Sequence, residues 1–204
     1  MITVLTVILS AATFAALAYA GTHAARLVVA DAHPFDDGPT PGRPNIIAIA
    51  GAAALAGSIV GARGAALPEL AVGAVLAVAL AAICYADVRC GLVPDVFTLG
   101  PLAAVLAGDL LLHQWMPLLA VAIVAGPFCL AAALSKGRGM GWGDVKLVAL
   151  GAAVLGAQPA LIAFAVACFA AVAVAAVRRR SAPIAFAPYL AAGVALMLAV
   201  RGAA

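Results

Sequence analysis

The sequence predicts an all-α protein, a polytopic bundle of about eight membrane-spanning helices, and three observations carry that reading. Of the 204 residues, 67% are hydrophobic and 9% charged, with a mean hydropathy of +1.21. Soluble proteins run near 45–50% apolar and about 25% charged, and a water-surrounded core at this length cannot hide the surplus. Apolar stretches recur at about the 20-residue length that crosses the hydrocarbon of a bilayer, and eight of them use most of the chain. Alternating ten-residue strands separated by turns are missing, so a barrel is not expected. Soluble enzymes, nucleic-acid readers and disordered tails are excluded. The lipid bilayer is the first expected partner, and no nucleic acid is expected.

Taken in order, the apolar runs are 2–22, 45–62, 68–86, 95–112, 117–134, 144–157, 159–177 and 183–200. Pro44, Pro68, Pro94, Pro117 and Pro183 open or close most of them, as proline does where a helix must begin or stop. The first run ends in Ala18-Tyr19-Ala20, like a signal-peptide cleavage site, but no Lys or Arg precedes Arg26. It therefore reads as an uncleaved helix. In the second run Gly57 and Gly61 form a small-xxx-small pair, which lets helices approach closely in lipid. The sixth run is short, and its boundary with the seventh rests on Gln158-Pro159. The whole chain, 1–204, reads as one membrane-embedded domain.

Orientation follows from the basic residues. If the 23–44, 87–94, 135–143 and 178–182 loops share one side, that side and its helix ends collect nine of the eleven Lys and Arg residues. Arg63 and Arg201 fall on the other. An excess of Lys and Arg marks the cytoplasmic face, so both termini are expected outside, in a multi-pass protein of the cell membrane.

Cys84, Cys90, Cys129 and Cys168 form no CxxC pair and read as small apolar fillers. Asp31, Asp36, Asp37 and His33 lie in one polar loop and read as solvated charge, and His23 and His33 flank no second ligand set. No metal site and no cofactor is expected. Asp109 and His113 sit near the outer end of the fourth run, and Glu69 caps or precedes the third.

Asp87 and Asp144 differ from these. Asp87 closes the third run in Tyr85-Ala86-Asp87-Val88-Arg89, and Asp144 opens the sixth in Gly141-Trp142-Gly143-Asp144-Val145-Lys146. Two spans separate them, and an even number returns the chain to the same face. An ionisable group at that depth is costly to hold and is a functional candidate by default. Two carboxylates held close together resist double ionisation and share a proton. The ionised one can then take a proton from water while the protonated one donates to a carbonyl oxygen, which is acid–base hydrolysis without a metal or a covalent intermediate. Gly139, Gly141 and Gly143 carry no side chains, so a backbone or an extended substrate can come close to Asp144. Trp142 and Met140 alternate with them and read either as an apolar contact for substrate or, for Trp142, as an interfacial anchor.

Three segments resemble the type IV prepilin peptidases, a family of membrane aspartic endopeptidases with a GxGD signature. Asp87-Val88-Arg89-Cys90-Gly91-Leu92-Val93-Pro94-Asp95 is similar to the family's D-x5-[IV]-P-N stretch, with Asp95 where Asn is usual. The segment from Gly139 to Leu147 is similar to the second catalytic stretch, and Ile184-Ala185-Phe186-Ala187-Pro188-Tyr189-Leu190 to a proline-containing pattern in the last span. The resemblance covers roughly 68–200, a prepilin-peptidase-like core. It implies Asp87 and Asp144 as the catalytic pair, with Gly141, Trp142, Gly143, Pro94 and Pro188 shaping the site. It also implies prepilin-like or pseudopilin-like precursors as substrates, cut on the cytoplasmic side between a short basic leader and an apolar helix, in type IV pilus assembly or protein secretion. Larger members carry paired CxxC motifs after the first span and also N-methylate the new terminus. The 23–44 loop here has no cysteine, so neither zinc nor methylation is expected.

Other readings use the same residues. A presenilin-like protease pairs GxGD with a Tyr-Asp motif, but Ala86 separates Tyr85 from Asp87, and Pro188-Tyr189-Leu190 fits a Pro-Ala-Leu segment only in part. A proton-coupled transporter could use the two aspartates as a relay, although transporters hold such groups near the midplane between repeats. A catalytically dead assembly scaffold is the third alternative.

Overall fold

The computed structural model of the protein describes residues 2–30, 44–135, 141–178 and 185–201. These residues form eight helices and no strand. In chain order they are α1 (Ile2–Val28), α2 (Ile46–Arg63), α3 (Leu67–Cys90), α4 (Asp95–Leu111), α5 (Met116–Leu134), α6 (Trp142–Leu155), α7 (Ala157–Arg178) and α8 (Ala187–Arg201). Five of them, α1, α2, α3, α5 and α7, are long and apolar enough to cross a membrane.

The ends are set by local chemistry. Asn45 caps α2, its side-chain oxygen accepting the Ala48 N–H at 3.0 Å. Gly64 closes α2 with φ 68°, a left-handed conformation that costs glycine little. Pro68 and Pro117 stand in the first turns of α3 and α5, where a missing N–H is harmless.

Several boundaries depart from the sequence expectation: α1 runs six residues past 22, to Val28, so that His23 and Arg26 lie in the helix rather than in a loop, and α8 starts at Ala187 rather than 183. α3 runs four residues past 86, to Cys90, before Gly91 (φ 66°) ends it, so Asp87 lies inside the last turn rather than after it. α6 begins at Trp142 and ends before Gly156 (φ 76°), and α7 starts at Ala157. The chain therefore breaks at the glycine, with Gln158-Pro159 already in the first turn of α7. Proline is accepted there, and the glycine supplies the reversal.

Packing follows the small residues. α1 lies along α2 and α3, and a Cβ on Gly57 would stand 2.6 Å from the Ser10 carbonyl oxygen of α1. α8 packs against α3, α2, α6 and α7. The shortest helix, α6, occupies the middle, touching α4, α5, α7 and α8, and everything from Leu147 to Leu155 is buried. At 14 residues it is about 21 Å long, against about 30 Å of hydrocarbon. Its neighbours shield it from lipid, so its own length need not match the bilayer. On the opposite end of the bundle Arg63 pairs with Glu69 at 3.2 Å, joining the end of α2 to the start of α3.

Candidate active site

α3 carries Asp87 one turn before its end. There Gly91 donates its N–H to the Asp87 carbonyl oxygen at 2.8 Å and turns the chain back. The short segment 91–94 leads to Pro94, the N-cap of α4, and to Asp95 in its first turn. The Asp87 side chain is only 7% exposed. A carboxylate so placed needs a polar partner, and it has one: the Ala187 N–H, at the start of α8, donates to Asp87 Oδ2 at 3.0 Å. The free amides of a helix N-terminus favour negative charge, so the foot of α8 is suited to a carboxylate. Pro188 follows immediately and lacks an N–H, which leaves the Ala187 donor as the one offered at that step.

Asp144 stands in the first turn of α6, behind the N-cap Gly141, and its N–H bonds to the Gly141 carbonyl oxygen at 3.1 Å. Its carboxylate folds back over that glycine, with Oδ2 3.5 Å from where a Gly141 Cβ would sit. The segments bearing the two carboxylates are in direct contact. A Cβ on Gly143 would lie 2.6 Å from Val93 Cβ, so only glycine allows the approach. Lys146 Nζ reaches Asp95 Oδ1 at 2.5 Å. Trp142, the first residue of α6, is half exposed.

Just above Asp87 on α3, buried Tyr85 receives the Arg26 guanidinium 5.6 Å from its ring centre, which ties the end of α1 to the same corner. An apolar cavity of about 330 Å³ runs between α1, α2, α3 and α8 and reaches Cys84, Val88 and Pro188, which flank Asp87 and Ala187.

Asp87, Asp144, Gly141, Gly143, Pro94, Pro188 and Trp142 thus gather at one end of the bundle. Asp109 lies elsewhere, near the end of α4, its Oδ2 buried with no hydrogen-bond partner among the described residues. Glu69 is engaged by Arg63. Gly139, Met140, the loop with Asp31, His33, Asp36 and Asp37, and the Arg179-Arg180 pair lie outside the described residues. Among the described residues no three His, Cys, Asp or Glu side chains converge as metal ligands. Three features were not anticipated: the Ala187 amide, the Val93–Gly143 contact and the Lys146–Asp95 pair. A backbone donor has no residue-type signature, and nothing in a linear sequence joins two charges 51 positions apart.

Such a site offers two carboxylates, one of them buried and held by a backbone amide, beside an apolar cavity. That set can move a proton to and from water and a carbonyl group without further chemistry. The model of the type IV leader peptidase family matches residues 74–176, which contain Asp87 and Asp144 and stop short of α8. It agrees with the resemblance carried by the two segments it covers, 87–95 and 139–147. No curated protein and no solved structure matches the chain.

Proposed function

The chain belongs to the type IV leader peptidase family, and on that ground we propose that it is a membrane aspartic endopeptidase acting through Asp87 and Asp144. Its substrates are prepilin-like or pseudopilin-like precursors, cut at the cytoplasmic face between a short basic leader and the apolar helix that follows. The observation that carries this reading is the contact between the two segments that bear the carboxylates. Asp87 is buried under the Ala187 amide, and the Val93–Gly143 contact seats the first turn of α6, which bears Asp144, against the segment that follows Asp87.

In this mechanism one carboxylate is ionised and takes a proton from a water molecule, whose oxygen attacks the scissile carbonyl carbon. The other, protonated, donates to the carbonyl oxygen. The resulting diol collapses with cleavage of the C–N bond, the nitrogen leaving with a proton returned by the first carboxyl group while a diol hydroxyl gives its proton back to the second. The Ala187 N–H fixes the rotation of the Asp87 carboxylate, so the pair is oriented before substrate arrives. Glycines 141 and 143 leave room for an extended backbone beside Asp144. The apolar cavity ending at Val88 and Pro188 suits a substrate whose chain continues as an apolar helix.

Co-expression with candidate precursors tests the proposal. The expected product has a new N-terminus at the junction of basic leader and apolar segment, read by N-terminal sequencing. Intact precursors beside a membrane-inserted chain would count against it.

A further inference from the structure

We infer that Lys146 and Asp95 are positioning residues: their ion pair sets the rotation of α6 about its own axis and so aims Asp144 at Asp87. The inference rests on the aspartic reading above and adds to it the device that orders the pair.

α6 has little else to fix its rotation at this end. Its N-cap is Gly141, with no side-chain cap, and its residues from Leu147 on are apolar and buried on every side. Two turns further on, Gly151 is seated against Phe164 and Val194, which orients the distant half of the helix but not the turn that carries Asp144. The first turn is where direction is imposed. Gly143 and Lys146 are three apart and therefore share one face, and that face meets one short segment. Gly143 lies against Val93, and Lys146 Nζ stands 2.5 Å from Asp95 Oδ1. Asp144 is about 100° around the helix from Gly143, so its direction follows once that face is docked. The same segment, 91–95, leaves Asp87 through Gly91, so the clamp measures Asp144 directly against the backbone that carries its partner.

The pair is partly in solvent, with side-chain exposures of 30% for Lys146 and 60% for Asp95. Pairs so exposed contribute little to stability, which suits a geometric role. With asparagine at 95 the lysine would keep a hydrogen bond but lose the ionic attraction, so the aspartate strengthens the tie in this chain.

The test uses the full chain in membranes, and a reporter precursor made of a short Lys/Arg leader fused to an apolar helix. Lys146→Met and Asp95→Ala are expected to lower kcat roughly ten- to hundredfold, the loss a misaimed catalytic group produces, with KM within about twofold. Lys146→Arg and Asp95→Glu keep the charges and are expected to stay within about threefold of the parent. The inference is overturned if the neutral variants turn over at the parental rate, if the conservative variants fall as far as the neutral ones, or if the loss is in KM alone. Should the parent itself leave the reporter uncut, that result counts against the proposed function, and amide hydrogen exchange of residues 142–146 decides the clamp. Lys146→Met is then expected to speed exchange there about two- to fivefold while Lys146→Arg does not. Equal exchange in the two variants overturns the inference.

Discussion

Asparagine has nearly the shape of aspartate but cannot exchange the proton that the proposed hydrolysis needs. Asp87→Asn and Asp144→Asn are therefore each expected to abolish leader cleavage while membrane abundance, measured by immunoblot, is unchanged. Asp109→Asn is expected to leave cleavage at the parental level, because α4 places that residue away from the pair. A single methyl group makes a sharper probe of the contact between the two segments. Gly143→Ala puts a Cβ 2.6 Å from Val93 Cβ, and overpacking of this kind costs about 1–3 kcal/mol. The variant should melt at lower temperature in detergent and cleave more slowly, whereas Gly108→Ala, with nothing within 4 Å, should do neither. At this scale the sequence was informative where chemistry has a residue type. Two acids at apolar boundaries and the glycines beside Asp144 are visible in one dimension. The Ala187 amide that holds Asp87 is not, since every residue but proline has one, and the Lys146–Asp95 pair exists only once α4 and α6 are side by side.

Helices were legible as apolar runs because in lipid each backbone must satisfy its own hydrogen bonds over a fixed span. All eight runs correspond to helices. Their ends were less legible, for two physical reasons. Polar residues do not stop a helix whose last turn is buried by neighbours, so α3 carries Asp87 within it. Proline does not mark an end when it falls in a first turn, so Gly156 rather than Pro159 separates α6 from α7. The small-xxx-small pair in α2 does what its spacing suggests and seats α2 on α1, with Gly57 under Ser10 and Phe14. Gly57→Ala is accordingly expected to lower the melting temperature of the detergent-solubilised protein. Gly51→Ala, on the same helix but facing open space, is expected to leave it unchanged or raise it slightly.

For the molecule as a whole, contact between the 87–95 and 141–146 segments means that α4 and α5 leave one end of the bundle and return to it. With the distribution of Lys and Arg this yields a topological expectation. A reporter fused after Arg180 should register cytoplasm, and one fused after His113 the exterior. The reverse at either site would break the orientation. The length of α6 bears on something else, the supply of the second reactant. A helix of about 21 Å is roughly 9 Å shorter than about 30 Å of hydrocarbon, and because its neighbours shield it from lipid the shortfall falls inside the bundle. The polar end is the one with Asp144 and Lys146, where the Lys146 and Asp95 side chains are partly exposed, so water has access to the bundle there. For the proposed hydrolysis the consequence is one of supply: the water it consumes can come in from the end of the bundle that carries Asp144, with no separate channel through the helices.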